Sequence, residues 1–199
     1  MRTYEEKKKA LYDFMNTCIE EDICIAFSGG VDSSVLLQLA RNCAEKKKRQ
    51  SSIYAVTFHT MLHPSCDLEI AQKVAKEAGA IHKVLFVNEL EQAEIRFNPK
   101  DRCYLCKKAL FGKLKAYAEE KRVSCILEGT NEDDLHVYRP GLKAVKEMGV
   151  LSPLAMHGFT KEEVRRLAEE LGVSVAKRPS TPCLATRLPY GAEIRPEIL

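Results

Sequence analysis

The sequence predicts an α/β fold, with a doubly wound parallel sheet and helices on both of its faces. Two observations support this prediction. Short apolar runs alternate along the chain with longer segments of helical periodicity, which is typical of βαβ units and therefore of parallel strands. The first of these runs, 23–27, is apolar at every position, as expected for a strand that is buried on both faces.

Each element has a local signal of its own. Thr3 and Glu6 have the spacing of a capping box and predict a first helix that reaches about Ile19. Thr160 and Glu163 repeat this spacing at the start of a helix that ends near residue 172. Strands are predicted at 23–27, 53–58, 84–87 and 125–127, and further helices at 31–45, 68–78, 104–121 and 140–148, with a loop at 94–102.

Composition narrows the class of protein. The chain has 199 residues, of which 45% are hydrophobic and 30% are charged, as in soluble globular domains. No apolar stretch approaches the ~20 residues of a membrane span, and the charged N-terminus lacks the apolar region of a signal peptide. We therefore expect a cytoplasmic protein without a membrane partner. A net charge of +3 suits an anionic small molecule such as a nucleotide and does not favour nucleic acid.

The clearest motif lies between the first strand and the helix that follows it. Gly29 and Gly30 allow a sharp turn, and the free N–H groups at the start of a helix attract anions. Ser28 and Ser33 add hydroxyl donors. Asp32 would be repelled by phosphate, so its expected role is to hold a Mg²⁺ ion that bridges the phosphates. The loop lacks a Walker A ending and is similar to the loop of N-type ATP pyrophosphatases.

A second loop follows the fourth strand. Gly129 is expected to let a nucleotide or an activated substrate pass closely, and Asp133 or Glu128 to complete the metal shell. The alternative is that these carboxylates form an acidic turn that caps a helix. Because ligands bind at the carboxyl ends of parallel strands, we expect both loops to belong to one site.

Three of the eight cysteines stand apart from the others. Cys103 and Cys106 form a C-x-x-C motif at a predicted helix start, a position that lowers thiol pKa. The motif alone fits a redox pair, half of a zinc site or part of an iron–sulfur site. Cys183 lies in a proline-flanked loop, where Arg187 is expected to favour its thiolate. Four cysteines in apolar runs are expected to be small buried residues, and one loop cysteine has no assigned role: Cys18, Cys24, Cys43 and Cys125, and Cys66.

Five segments resemble the ATP-dependent sacrificial sulfur transferases of the LarE type, which act in making the nickel-pincer cofactor of lactate racemase. The phosphate loop is shared with many enzymes, whereas the segments around Cys103 and Cys183 are much more specific. The matching segments span nearly the whole chain in the expected order: 26–33, 98–104, 128–131, 138–142 and 179–191.

The resemblance implies an enzyme that uses ATP and Mg²⁺ to adenylylate a carboxylate of a pyridinium dicarboxylate mononucleotide, releasing pyrophosphate and AMP, and replaces oxygen with sulfur. In members with one functional cysteine, the residue matching Cys183 gives up its own sulfur. In members with three, the residues matching Cys103, Cys106 and Cys183 hold a 4Fe-4S cluster whose labile sulfide is transferred. This chain has all three cysteines, so we predict the cluster and a sulfide or other sulfur donor. Arg139 and Arg187 are expected to contact substrate phosphate, and the family forms homo-oligomers.

We predict a PP-loop ATP pyrophosphatase domain at 1–155 and, at 156–199, a helix with a proline-rich tail that carries Cys183. Family members continue beyond this point, so we expect the tail to begin a C-terminal segment that is truncated here. Two other functions stay open. One is a PP-loop adenylating enzyme that thiolates tRNA or makes an amide. The other is a nucleotide-binding module without enzymatic activity, in which three cysteines and His136 hold a structural zinc ion.

Overall fold

The computed structural model describes residues 2–195 and 197, and within them one sheet of four parallel strands. The sheet runs β3–β2–β1–β4, so the chain adds strands on one side of β1 and then returns to its other side. The order therefore reverses between β1 and β4, which is the point where doubly wound sheets bind ligands. This confirms the predicted fold class. The strands are β1 (Ile23–Ala26), β2 (Ile53–His59), β3 (Ile81–Phe86) and β4 (Cys125–Leu127).

Helices cover both faces of this sheet. Both predicted capping boxes are formed, with Thr3 and Thr160 each accepting from the third residue of its helix. Four short elements were not predicted, because a single helical turn is too short to show a period. The helices are α1 (Tyr4–Cys18), α2 (Val31–Lys46), α3 (Ser65–Glu77), α4 (Glu89–Gln92), α5 (Arg102–Glu120), α6 (Gly141–Glu147), α7 (Pro153–Met156) and α8 (Lys161–Glu170), with 3₁₀ turns at Asp133–His136 and Leu184–Arg187.

Residues of β1 alternate between two hydrophobic cores. Ile23 and Ile25 pack with α1, α2, α3 and α8 on one face of the sheet. Cys24 packs with α5 and α6 on the other face. Because α8 belongs to the first core, the helix that follows residue 155 packs with the same core as the rest of the fold. The boundary at 155 stays a prediction.

A third, smaller core holds the tail in place. Its buried members come from the ends of β2 and α4 and from the tail: Leu62, Leu90, Ala93, Ile95, Ala185 and Ile194. Backbone hydrogen bonds reinforce it, from Leu184 N to the Leu62 oxygen at 2.9 Å and from Ile194 N to the Arg96 oxygen at 2.7 Å. The tail has no long regular element, yet these contacts fix the segment that carries Cys183.

Several boundaries differ from the predicted ones. Strand β3 begins at Ile81 and not at residue 84, because it is an edge strand whose exposed residues break the apolar pattern. Helix α3 begins at Ser65, directly after Pro64, three residues before the predicted start. Helix α5 begins at Arg102. No helix in the described parts of the chain is both long and apolar enough to span a membrane.

Candidate active site

A cleft of about 480 Å³ opens at the carboxyl ends of β1, β2 and β4, where the strand order reverses. The phosphate loop lines one part of it, and the tail and the start of α5 line another. Predicted site residues that are distant in sequence therefore share one cavity. Those that line it are Ser28, Gly30, Asp32, Ser33, Glu128, Gly129, Arg139, Cys103, Cys106 and Cys183.

The phosphate loop is shaped by its own hydroxyl groups. Ser28 Oγ accepts from Gly30 N at 3.3 Å, and Ser33 Oγ donates to the Gly30 oxygen at 3.2 Å. Gly30 is the N-cap of α2, and among the described residues no side chain caps this helix. The first N–H groups of α2 therefore keep their capacity to bind an anion, as predicted for a phosphate.

Two glycines of the site are required by packing between elements. Gly29 has a φ of +72°, and a Cβ there would lie 2.8 Å from the Ala71 Cα of α3. A Cβ on Gly129 would lie 2.9 Å from Ser33 N. Gly129 lines the cleft, where its predicted closeness to a ligand stays a prediction, and its missing side chain also makes room for the start of α2. Gly29 itself lies outside the cleft lining.

Asp32 is held by two residues that follow β4 in the chain. Its Oδ1 accepts from Asn131 Nδ2 at 3.0 Å, and its Oδ2 pairs with the ammonium of Lys161. The backbone N of Lys161 in turn donates to Asp133 Oδ2 at 2.8 Å. Asp133 thus caps α8 and lies outside the cleft lining, which favours the helix-capping alternative for this carboxylate.

Ion pairs balance the charge of the cleft. Each Lys or Arg side chain that lines it within the described residues is paired with an Asp or Glu that also lines it. An incoming polyanion therefore meets cations that already have carboxylate partners. The pairs are Lys161 with Asp32, Lys107 with Glu128 at 3.1 Å, Arg139 with Asp134 at 2.9 Å, and Arg178 with Asp67 at 2.5 Å.

Glu128 is the most buried carboxylate of these pairs, with 5% of its surface exposed. Burial acts to raise its pKa, but the Lys107 ammonium and hydrogen bonds from Ser152 and Thr130 outweigh burial, so the pKa lies below its ordinary value. Glu128 therefore stays ionised at neutral pH and holds Lys107 beside the cleft.

The prediction of low thiol pKa values is wrong for Cys106 and Cys183. Burial raises the pKa of Cys106 to about 12 and also raises the pKa of Cys183. Both thiols pack against the small core under the tail, so desolvation outweighs the field at the start of α5. Within the described residues, no three His, Cys, Asp or Glu side chains are assembled closely enough to hold a metal ion.

Arg102 is a cation beside the cysteines that the sequence analysis did not single out. The residue is 5% exposed. Its guanidinium lies 3.8 Å from Cys103 Sγ and lowers the pKa of Cys106 and Cys183 in opposition to burial. Arg187 belongs to the 3₁₀ turn and lies outside the cleft lining. In the sequence, only its position directly before the C-x-x-C motif could have indicated that Arg102 belongs to the cysteine region.

Glu89 had no sequence signal. Its side chain is completely buried, and its Oε1 accepts from Leu62 N at 2.7 Å. Its Oε2 has no hydrogen-bond partner among the described residues. The charge of Glu89 acts on both Cys106 and Cys183, raising their pKa. A buried carboxylate therefore lies next to the cysteine region.

Known proteins share both the sequence and the fold. The chain matches the PP-loop domain family over residues 3–137. It is 30% identical to the pyridinium-3,5-bisthiocarboxylic acid mononucleotide synthase of Lactiplantibacillus plantarum, covering 98% of this chain and 68% of the synthase. It is 38% identical to an uncharacterized protein of Synechocystis, covering 88% of this chain and 63% of that protein.

The chain thus spans about two thirds of the length of these curated relatives. Among solved structures, the NMN synthetase from Francisella tularensis superimposes with a TM-score of 0.67 over 91% of this chain and 76% of the synthetase, at 17% identity. This likeness shows a shared fold. The sequence matches and the phosphate loop together show that the chain belongs to the PP-loop family and, within it, to the LarE-type family that includes the Lactiplantibacillus synthase.

Proposed function

We propose that the chain is an ATP-dependent sulfur transferase. It adenylylates a carboxylate of a pyridinium dicarboxylate mononucleotide and replaces one carboxylate oxygen with sulfur. The observation that carries the proposal is that one cleft is lined by both the phosphate loop and the three cysteines Cys103, Cys106 and Cys183. The 30% identity to a bisthiocarboxylic acid mononucleotide synthase supports the substrate class.

The phosphate loop and Asp32 handle the nucleotide in this proposal. The N–H groups at the start of α2 bind the phosphates that leave as pyrophosphate, and Asp32 holds Mg²⁺. Asp32 fits this ion because its carboxylate already carries a cation, the ammonium of Lys161. Transfer of AMP turns the carboxylate oxygen into a good leaving group. Arg139, which lines the cleft, binds the phosphate of the acceptor.

The cysteine region has a donor set that suits a 4Fe-4S cluster. Three thiols would hold three irons and leave the fourth open, and Arg102 supplies a positive charge beside them. When bound, the cluster would supply a labile sulfide to the activated carboxylate. The thiols of Cys106 and Cys183 are protonated in the metal-free chain, so loading must release protons and draw the thiols together.

The test is a thiolation assay without oxygen. The protein is incubated with MgATP, sulfide and the dicarboxylate mononucleotide, and the product is analysed by mass spectrometry while AMP is counted. We expect AMP and a product in which sulfur replaces oxygen. Asp32→Asn should lose both, and Cys183→Ala should lose the thiolated product. Cys66→Ala, a change at an exposed cysteine outside the cleft, is the control. Full thiolation by Cys183→Ala would contradict the proposal.

A further inference from the structure

Lys161 forms an ion pair with Asp32, the carboxylate that holds the metal ion in the proposed function. Its ammonium pairs with Asp32 Oδ2, while Asn131 occupies Oδ1 at 3.0 Å. The side chains of Asp32 and Lys161 are 21% and 31% exposed, and both line the cleft beside Ser28 and Ser33. A divalent ion on Asp32 would therefore have to share the carboxylate with an ammonium group or replace it.

The backbone of Lys161 is fixed, although its side chain is long and rotatable. It is the first residue of α8, and its N–H is held by Asp133 Oδ2 at 2.8 Å. Thr160 and Glu163 form the capping box around it. The side chain can change partners without any movement of α8, because only the four-carbon stem has to rotate.

Lys161 stands at a helix position that disfavours its charge. The N-terminus of a helix carries partial positive charge, so a cation in the first turn is destabilising by itself. Asp32 compensates this charge in the nucleotide-free chain. The triphosphate of ATP would offer the same compensation from the neighbouring start of α2.

We propose that Lys161 is a nucleotide-binding residue that exchanges partners. It pairs with Asp32 in the nucleotide-free protein and binds the phosphates of ATP once a divalent metal ion takes Asp32. The inference rests on the proposed use of ATP. The exchange avoids two cations on one carboxylate, where like charges repel strongly at short distance. It also weakens the binding of a metal ion to Asp32 until the nucleotide arrives.

Removal of the Lys161 charge therefore has effects of opposite sign on two equilibria. Mn²⁺ alone should bind Asp32 more tightly, because its competitor is gone. Mn²⁺ together with a nucleotide should bind less tightly, because the phosphates lose a cation. A lysine that served only to stabilise the fold would shift both affinities in the same direction or leave both unchanged.

The experiment measures Mn²⁺ binding by electron paramagnetic resonance and nucleotide binding by calorimetry, with α,β-methylene-ATP, which cannot be cleaved between its α and β phosphates. The variants are Lys161→Met and Lys161→Gln, so that the test can still be made with one of them if the other does not fold. Lys8→Met is the matched control, because it removes the same charge from a partly buried ion pair with Glu170, outside the cleft. Asp32→Asn, alone and combined with Lys161→Met, locates the metal.

We expect Lys161→Met to tighten nucleotide-free Mn²⁺ binding about tenfold and to weaken analogue binding by a similar factor. The Asp32→Asn change should abolish the tighter Mn²⁺ site, and Lys8→Met should shift neither affinity. Unchanged or weaker Mn²⁺ binding in both Lys161 variants would overturn the exchange, and so would unchanged analogue affinity. Because no turnover is needed, the outcome is separate from that of the thiolation assay.

Discussion

Arg102 Nη1 donates to the carbonyl oxygen of Ala185 at 3.2 Å and so ties the start of α5 to the tail. The same guanidinium pairs with Asn98 and lies 3.8 Å from Cys103 Sγ. Ala185 is two residues from Cys183. One buried cation therefore sets the position of the tail cysteine relative to the C-x-x-C motif.

Arg102→Lys should loosen this connection. Lysine keeps the charge but cannot bond two acceptors in the planar geometry of a guanidinium. We expect the free energy of unfolding to fall by about 2 kcal/mol, because buried hydrogen bonds of a charged group are lost. Urea unfolding measures this, and trypsin should cut faster after Lys177 or Arg178. The control is Arg49→Lys, in an exposed pair with Glu20, which should change stability very little. Equal stability of the two variants would contradict the role of Arg102.

Gly29→Ala should destabilise the fold. Its φ of +72° is strained for alanine, and the new Cβ would meet the backbone of Ala71. Strain of this kind costs about 1–3 kcal/mol, before the clash is added. Gly112→Ala is the matched control, since it lies within α5 and its Cβ would meet no atom within 4 Å. It should stabilise the protein by up to about 1 kcal/mol, since alanine is the better helix former. Thermal melting of both variants should give shifts of opposite sign.

Substitutions at Glu89 separate its hydrogen bond from its charge. Glu89→Gln keeps an acceptor for Leu62 N and removes the carboxylate that has an unpartnered oxygen. We expect its stability to stay within about 1 kcal/mol of that of the wild type in the metal-free protein. Glu89→Ala leaves the Leu62 N–H unpaired and should cost about 2 kcal/mol more. Equal urea midpoints for the two variants would show that the hydrogen bond contributes nothing.

Stability should fall as the pH drops below about 6.5. Thr57 Oγ1 donates to the Phe27 oxygen at 2.7 Å and therefore accepts from His82 Nε2 at 2.8 Å. Burial lowers the pKa of His82 below its ordinary value of 6.5. The unfolded chain thus binds a proton before the folded one does, so this contribution is present above pH 6.5 and lost on acidification.

Urea unfolding at pH 7.5 and pH 5.5 measures this loss. His82→Gln should show a smaller loss than the wild type. The remainder comes in part from His63 and His157, whose pKa values burial also lowers. An equal loss in the variant and the wild type would exclude His82 as a contributor.

Features that depend on neighbouring residues were predictable from sequence. The capping boxes at Thr3 and Thr160 and the loop from Ser28 to Ser33 each carry their signal within a few residues. Because parallel strands place their carboxyl ends together, the fold class also predicted that the loops after β1 and β4 would meet.

Features that depend on tertiary contacts were not predictable. Lys161 and Asp32 are 129 residues apart, and nothing local in the sequence pairs them. The raised pKa of Cys106 follows from burial under a tail that has no periodic pattern. The close packing of Gly129 against the start of α2 joins two distant parts of the chain, so no local pattern indicates it.

Iron and acid-labile sulfide content tests most directly whether Cys103, Cys106 and Cys183 form one cluster site. The protein is purified without oxygen beside a Cys103→Ala, Cys106→Ala double variant and the Cys66→Ala control. We predict about four irons and four sulfides per chain in the wild type and the control, and almost none in the double variant. An iron-free wild type, or a double variant that keeps its iron, would contradict a three-cysteine cluster in this cleft.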